Sequence, residues 1–278
     1  MNSDKVILIT GTSSGLGYYT ARALAHKQHI IYGTSRSSTP GGRLVFSNGT
    51  SCQMLTLDVT DPESCRKAVK TVIDREGRID VLINNAGFGI AGAVEMTGEA
   101  EMQRIFQTNF FGTIRMCRLV IPYMRKQGSG KLIHISSVAA VIPLPFQSFY
   151  SAGKAALESF SQALDIELKP YGIRSVCIEF GDMKTGFTKN RLHTSLSAKD
   201  EAGERVYTDA CRRSLKRMEK DEQEGAPPVK EARLVARISD QQRVKTVHVC
   251  GFFYRCIVLM RRILPYRITN WLIAKLYS

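Results

Sequence analysis

The segment from Val6 to Gly17 constrains the fold more than any other part of the chain. Val6-Ile-Leu-Ile9 is short, rich in β-branched residues and followed at once by Thr10-Gly-Thr-Ser-Ser-Gly-Leu-Gly17. This pattern predicts a buried strand, and apolar periodicity then predicts a helix from Tyr18 to His26. Glycines between a strand and a helix allow a tight turn, and the unpaired N–H groups at the helix start can bind a phosphate. The segment therefore predicts a dinucleotide-binding unit, and the alternative is a glycine-rich turn without a ligand.

Short apolar runs and helical patterns alternate along the rest of the chain. Further strands are predicted at 30–34, 54–57, 81–83, 131–135, 174–179 and 245–249, and further helices after Pro62 and at 99–127, 150–168, 199–224 and 229–239. Such alternation predicts an α/β fold, a Rossmann-like doubly wound parallel sheet with its ligand at the carboxyl ends of the strands. We expect residues 1–278 to form a single domain.

Two segments lie outside this repeating pattern. Residues 182–228 are charged and carry no strand pattern, which is typical of a lid over a substrate site. The tail, from about 250 to 278, is apolar but interrupted by five cations, Arg255, Arg261, Arg262, Arg267 and Lys275. We expect an amphipathic helical extension that packs on the fold or lines the substrate pocket. The alternative is a helix that lies on a membrane surface.

Composition excludes several other classes of protein. The formal charge of +14 is not gathered into one block, which argues against a dedicated nucleic-acid-binding arm. The seven cysteines include no Cys-x-x-Cys pair, so reduced thiols are favoured over disulfides, and no His/Cys/Asp cluster suggests a metal. Val6–Ile9 is too short for a signal-peptide core, and no apolar run approaches the ~20 residues that span a bilayer. We expect a cytoplasmic protein.

The residues that follow the second, third and fourth predicted strands favour a particular cofactor. Arg36 stands after the second strand, where an NAD-preferring site usually has a carboxylate, and it can bind a 2′-phosphate bidentately. This favours NADP(H) over NAD(H), and a surface arginine is the alternative. Asp58 could meet the adenine amino group or cap a turn. Asn84-Asn-Ala-Gly87 could lie against a flat ring or form a structural turn.

Tyr150 and Lys154 are the candidate catalytic pair. Four residues apart in a helical pattern, they lie on one face, where an ammonium favours the phenolate and lowers the tyrosine pKa from its usual value near ~10. Such a tyrosine can act as a general acid and base. An isolated pair of this kind also occurs by chance on solvated faces. Two other polar residues, His134 and Glu179, lie within or at the end of strands and are expected to be structural.

In this order and at this spacing, the motifs resemble the short-chain dehydrogenase/reductase family over about residues 4–190. The chain is also similar to the hydroxysteroid- and retinol-dehydrogenase-type members through to the C-terminus. The matching residues are Thr10-Gly-Thr-Ser-Ser-Gly-Leu-Gly17, Asp58, Val59, Asn84-Asn-Ala-Gly87, Asn109, Ser137, Tyr150, Lys154 and Thr185. Two positions depart from the family pattern: Phe180-Gly181 stands where Pro-Gly is common, and Gly153 stands where serine commonly precedes the lysine.

The resemblance implies a tetrad of Asn109, Ser137, Tyr150 and Lys154. Tyr150 would exchange a proton with the substrate oxygen, Ser137 would bind that oxygen, Lys154 would hold the nicotinamide ribose, and Asn109 would hold a water that links Lys154 to solvent. The cofactor site that it implies consists of Gly11, Ser13, Ser14, Gly15, Leu16, Gly17, Arg36, Asp58, Val59, Asn85, Ala86, Gly87, Tyr150, Lys154 and Thr185.

The expected function is that of an NADP(H)-dependent oxidoreductase that interconverts a hydrophobic ketone and a secondary alcohol. Apolar residues expected near the site, such as Leu144, Phe149 and Phe187, support a hydrophobic substrate, and a homo-oligomer, dimer or tetramer, is also expected. One alternative is a 3-oxoacyl reductase, although the long tail argues against it. The other is a non-catalytic protein that binds a nucleotide or a lipid on the same fold.

Overall fold

One sheet of eight strands forms the centre of the computed structural model, which describes residues 4–27, 29–38, 41–194 and 207–277. A separate pair of short strands lies beside it. In chain order the strands are β1 (Val6–Ile9), β2 (Ile30–Ser35), β3 (Arg43–Val45), β4 (Ser51–Thr56), β5 (Val81–Asn84), β6 (Ile90–Ala91), β7 (Gly130–Ser137), β8 (Ile173–Phe180), β9 (Leu192–His193) and β10 (Val247–Val249).

The order of strands in the sheet is β10-β8-β7-β5-β1-β2-β4-β3. Neighbours are parallel, except that β3 runs antiparallel to β4. The chain leaves β1 towards β2 and later returns to β5 on the other side of β1. This reversal opens a crevice at the carboxyl ends of β1 and β5, where ligands bind in doubly wound sheets. The predicted doubly wound, mostly parallel fold is confirmed.

Helices cover both faces of the sheet. Their bounds are α1 (Gly15–Ala25), α2 (Pro62–Glu76), α3 (Glu99–Phe106), α4 (Gly112–Gln127), α5 (Ser148–Leu168), α6 (Thr208–Glu224), α7 (Pro228–Asp240), α8 (Phe252–Ile263) and α9 (Tyr266–Tyr277).

Alternating side chains along the strands explain the two helical layers. Leu8 and Leu82 point to one face, where they pack with α2, α4 and α5 through residues such as Val120. Ile7 points to the opposite face and packs with α1 and α7 through residues such as Leu24. Because both faces of a parallel sheet are covered in this way, its strands consist of nearly continuous apolar residues.

The helical region predicted from Glu99 to Gln127 is present with these bounds, but it is not one regular α-helix. A π-helix from Gln107 to Phe111 separates α3 from α4. A π turn is an irregularity that often occurs at functional sites. Asn109, a poor helix former, lies inside this turn and is buried.

Three short strands, β3, β6 and β9, were not predicted. A strand of two or three residues has too few side chains to show an alternation. β6 and β9 pair in parallel, and β9 lies within the charged segment 182–228.

Two predicted helices differ from the structure in where they begin. The predicted helix 199–224 is present from Thr208, and its residues 199–206 lie outside the described part of the chain. The first helix begins at Gly15 rather than Tyr18.

The tail folds back over the carboxyl edge of the sheet as two helices, α8 and α9. Val258 of α8 and Thr269 of α9 are buried. Tyr277 packs with Leu215 and Met218 of α6. The tail therefore packs on the fold beside α6, which connects it to the segment expected to act as a lid.

Candidate active site

A cavity of about 1320 Å³ follows the carboxyl ends of β1, β2, β4, β5, β7 and β8 and continues between α6 and the tail helices. With the exception of Asn109, every residue that the sequence analysis placed in the cofactor site or the tetrad lines this cavity. Residues from eight separate elements or loops thus meet in one space, as expected at the switch point of a doubly wound sheet.

The glycine segment 11–17 forms one end of the cavity, and Asn85 holds it in place. Nδ2 of Asn85 donates hydrogen bonds to the carbonyl oxygens of Thr10, at 2.9 Å, and of Gly11, at 2.8 Å. A β-carbon on Gly17 would lie 2.2 Å from the Gly11 carbonyl oxygen, so a larger residue does not fit. Ser14 precedes α1, but its side chain does not cap the helix. The N–H groups of the first turn are therefore available to an anion, and this geometry fits a dinucleotide pyrophosphate.

Arg36 and Asp58 border the cavity beyond the glycine segment. Arg36 is exposed and lies at the end of β2 between Ser35 and Ser37. Oδ1 of Asp58 accepts hydrogen bonds from the backbone N–H of Thr60, at 2.8 Å, and from its hydroxyl, at 2.7 Å. Asp58 therefore caps a turn, which was one of the two expectations, and its contact with adenine stays a prediction.

Asn109 holds the loop that follows β5. Its Oδ1 accepts a hydrogen bond from the N–H of Phe88 at 3.1 Å, and its Nδ2 donates to the Phe88 carbonyl oxygen at 2.8 Å. Both polar atoms of the side chain are thus bonded to one residue of the loop, beside Gly87. The water that Asn109 is expected to hold stays a prediction.

Tyr150, Lys154 and Ser137 meet at the middle of the cavity. Tyr150 and Lys154 lie one turn apart on α5, and both are buried. Nζ of Lys154 lies 5.7 Å from the centroid of the Tyr150 ring and donates a hydrogen bond to the Ile135 carbonyl oxygen at 2.8 Å. The Ser137 hydroxyl oxygen accepts a hydrogen bond from the N–H of Ala139 at 3.1 Å, which leaves its own hydrogen to donate.

The pKa of Tyr150 differs from the expectation. Burial raises it to about 12, and the Ser137 hydroxyl opposes this increase. Lys154, which was expected to lower this pKa, is not among these causes, and its ammonium donates a hydrogen bond to the Ile135 carbonyl oxygen. Burial also lowers the pKa of Lys154 to about 8. Helical spacing correctly placed the two side chains on one face of α5, but it did not predict the direction in which the pKa of Tyr150 is shifted.

Three charged side chains to which the sequence analysis assigned no role influence Tyr150. The charges of Glu222 and Asp182 raise its pKa, and that of Arg191 lowers it. The Arg191 side chain is fully buried and forms an ion pair with Glu222 of α6. Because these residues are far apart in sequence, only the charged character of segment 182–228 could have indicated them.

Thr185 and Phe187 close the cavity above Tyr150. The Thr185 hydroxyl oxygen accepts a hydrogen bond from the N–H of Phe187 at 3.2 Å. The Phe187 ring meets the Tyr150 ring edge-on, with centroids 5.7 Å apart.

His134 lies outside this cavity and is buried. The amide nitrogen of Asn84 lies 3.3 Å from its Nδ1, and the Ser175 hydroxyl oxygen lies 3.1 Å from its Nε2. The structural role expected of His134 is confirmed.

Comparison with known proteins identifies this arrangement. The family model described as short chain dehydrogenase matches residues 5–195, more than half of the chain. The chain belongs to the short-chain dehydrogenase family. Members of this family are NAD(P)-dependent oxidoreductases, so the expected enzyme class is confirmed.

Individual relatives of this short-chain dehydrogenase have several functions. The 3-ketodihydrosphingosine reductase of Bacteroides thetaiotaomicron is 45% identical over 234 residues, which cover 84% of this chain and 83% of the relative. Human 17-beta-hydroxysteroid dehydrogenase type 1 is 37% identical over 196 residues, 67% of this chain and 59% of that protein. A crystal structure of a short-chain dehydrogenase from Streptomyces avermitilis is 28% identical, with a TM-score of 0.80 over 98% of this chain and 97% of its own.

Proposed function

We propose that this short-chain dehydrogenase reduces the ketone of a long-chain hydrophobic substrate to a secondary alcohol, with NADPH as the reductant and Tyr150 as the proton donor. The observation that carries this proposal is the continuity of one cavity. It runs from glycine segment 11–17, past Tyr150, to an apolar end between α8 and α9. When bound, the reduced nicotinamide supplies the hydride, and the protein supplies binding, orientation and the proton.

Tyr150 suits the reductive direction. A phenol whose pKa burial raises to about 12 keeps its proton at neutral pH and can give it to the oxygen of a carbonyl that is being reduced. The Ser137 hydroxyl can donate a hydrogen bond to the same oxygen and stabilise the negative charge that develops there.

Lys154 and Arg36 are proposed to hold the two ribose ends of the cofactor. Near neutral pH an ammonium with a pKa of about 8 is still mostly charged, so Lys154 can donate hydrogen bonds to the hydroxyls of the nicotinamide ribose. Arg36 lies exposed at the border of the cavity, where a guanidinium can bind a 2′-phosphate bidentately. Residues 35–38 contain no carboxylate that would favour NAD(H).

The cavity lining favours a long-chain amino ketone as the substrate. Ile257, Leu264 and Ile273 line its apolar end, and Asp182 lines the part near Tyr150. 3-Ketodihydrosphingosine, named in the Bacteroides relative, is a long-chain ketone with an amino group next to the carbonyl. A carboxylate near the proton donor would pair with that amino group while the apolar end holds the chain.

A substrate screen tests this function. The purified enzyme is mixed with NADPH and either 3-ketodihydrosphingosine, a 3-oxoacyl thioester, a 17-ketosteroid or a retinal, and the loss of NADPH absorbance is followed. The expected result is a kcat/KM for the amino ketone at least about tenfold above that for the others. Preference for the thioester would instead support a 3-oxoacyl reductase. The absence of turnover with every compound would contradict the proposal.

A further inference from the structure

The tail helices expose an unusual number of large apolar side chains. Their exposed fractions range from 41% for Leu272 to 81% for Phe252. Large exposed apolar side chains that are grouped on two consecutive helices, rather than scattered singly, mark a site of interaction with a protein or a membrane. We call it the tail surface and define it by Phe252, Phe253, Leu259, Met260, Ile263, Tyr266, Ile268, Trp271, Leu272 and Leu276.

On α8 the tail surface is one face of an amphipathic helix whose other face is packed. Phe252, Leu259 and Ile263 recur at intervals of seven and four residues, which places them on one side of α8. Tyr254 and Val258 lie on the other side, which packs on the protein. The apolar residues of the tail surface are therefore not part of the packed core.

The charged residues of the tail itself are all positive. Residues 241–278 contain no Asp or Glu and seven cations, Arg243, Lys245, Arg255, Arg261, Arg262, Arg267 and Lys275. Of these, Arg255, Arg262, Arg267 and Lys275 are exposed on α8 and α9. Cations next to an apolar helix face complement an anionic lipid surface, where each contributes to binding. Two copies joined through this surface would instead bring like charges together.

The tail surface is continuous with the mouth of the cavity. Phe253, Met260, Leu272 and Leu276 are exposed, and the same four residues line the cavity that contains Tyr150. An apolar molecule in contact with the tail surface can therefore reach the cavity along apolar side chains. None of the helices within the described ranges is long and apolar enough to cross a membrane.

We propose that the tail surface docks on a bilayer that contains anionic lipid, and that the hydrophobic substrate enters the cavity from this bilayer between α8 and α9. The entry route rests on the proposed function, whereas the docking does not. Apolar side chains would enter the boundary between headgroups and acyl chains while the neighbouring cations contact the headgroups.

Sedimentation with vesicles tests the docking without any need for activity. The full-length protein is expected to bind phosphatidylcholine vesicles that contain phosphatidylserine at least about tenfold more tightly than phosphatidylcholine alone. Added salt should weaken this binding, because it screens exposed charges. Equal binding to both kinds of vesicle, or none, would overturn the proposal.

Two pairs of matched variants locate the contact. Ile263→Ser should weaken vesicle binding, whereas Ile166→Ser, at an equally exposed position on α5, should leave it unchanged. Arg267→Glu with Lys275→Glu should lower the affinity about tenfold or more, and Lys67→Glu with Lys126→Glu, on α2 and α4, should not. Equal effects within either pair would contradict docking through the tail.

The oligomeric state of the same variants tests the alternative occupant. If tail variants convert a wild-type dimer to a monomer without affecting vesicle binding, the tail surface is an interface between copies.

The entry route is tested with two ketones, one embedded in vesicles and one short and water-soluble. Ile263→Ser should lower the rate on the embedded ketone several-fold and leave the rate on the soluble ketone unchanged, because Ile263 does not line the cavity. If Ile263→Ser reduces both ketones at the wild-type rate, the entry route is excluded. If neither ketone is reduced by any variant, the proposed function fails, and vesicle sedimentation still decides the docking.

Discussion

The phenolic oxygen of Tyr254 lies 2.6 Å from Oδ2 of Asp182 and donates its hydrogen to this carboxylate. The same phenolic oxygen accepts a hydrogen bond from the backbone N–H of Asp182 at 3.0 Å. The Tyr254 ring packs directly on Gly181, where a β-carbon would lie only 2.0 Å from the ring. Helix α8 is thus attached to the loop that leaves β8 at the edge of the cavity.

Gly181→Ala is expected to displace the Tyr254 ring and loosen this attachment. Overpacking of this kind should lower the free energy of unfolding by roughly 1–3 kcal/mol, measured by urea denaturation. The control is Gly153→Ala, because a β-carbon on Gly153 would have no atom within 4 Å outside its own helix. The helical preference of alanine should then raise stability by about 0.5–1 kcal/mol. Equal effects of the two substitutions would refute the packing argument.

Asp182→Asn tests the proposed partner of the substrate amino group. Asparagine keeps the size of the side chain, and its carbonyl oxygen can still accept the Tyr254 hydrogen bond, but the negative charge is lost. The KM for a long-chain 2-amino ketone should rise about tenfold, consistent with the loss of a charged hydrogen bond. The KM for a long-chain ketone without the amino group should stay the same. A similar rise for both ketones would show that Asp182 acts on the fold rather than on the substrate.

Glu179→Gln is expected to stabilise the protein in alkaline solution. Glu179 is fully buried, and burial together with the neighbouring Glu158 carboxylate raises its pKa from 4.5 to about 8. The folded state therefore binds more protons than the unfolded state between these values, and stability falls as the pH rises through this window. The variant cannot lose a proton, so it should be more stable than wild type by on the order of a few kcal/mol near pH 9.

Urea unfolding at two pH values measures this effect. Near pH 4 the carboxyl is protonated in both states, and the advantage of Glu179→Gln should disappear. Glu167→Gln, at an exposed position on α5, is the control and should show no such pH dependence. A stability difference between wild type and Glu179→Gln that is the same at both pH values would refute the ionisation argument.

Arg36→Asp should change the choice of cofactor. A carboxylate at this position repels a 2′-phosphate and can accept hydrogen bonds from the ribose hydroxyls of NADH. The ratio of kcat/KM for NADPH to that for NADH should fall by about 10–100-fold, as expected for the loss of charged hydrogen bonds. Arg43→Asp, on β3 and outside the cavity lining, should leave this ratio unchanged. An unchanged ratio in Arg36→Asp would contradict the proposal that Arg36 binds the 2′-phosphate.

Local patterns in the sequence account for the features that could be predicted. The strand and loop from Val6 to Gly17 form one continuous segment, and Tyr150 and Lys154 are joined by a single turn of helix, so composition and spacing suffice to place them. The alternation of strands and helices likewise predicts the doubly wound sheet.

Contacts between distant segments account for what the sequence did not show. Arg191 and Glu222 are separated by 31 residues, and Tyr254 and Asp182 by 72. No local periodicity records such pairs. The raised pKa of Tyr150 also depends on the surroundings, because its main cause is burial by residues from several elements.

The role of Tyr150 as proton donor is tested by Tyr150→Phe, which removes the phenolic hydroxyl and keeps the ring that packs against Phe187. We expect kcat/KM for ketone reduction to fall by about 10²–10⁴-fold, while NADPH binding, measured by fluorescence titration, stays within about twofold of wild type. Tyr123→Phe, at an exposed position on α4, should keep full activity. Turnover by Tyr150→Phe within about tenfold of wild type would contradict the assignment of Tyr150 as the proton donor.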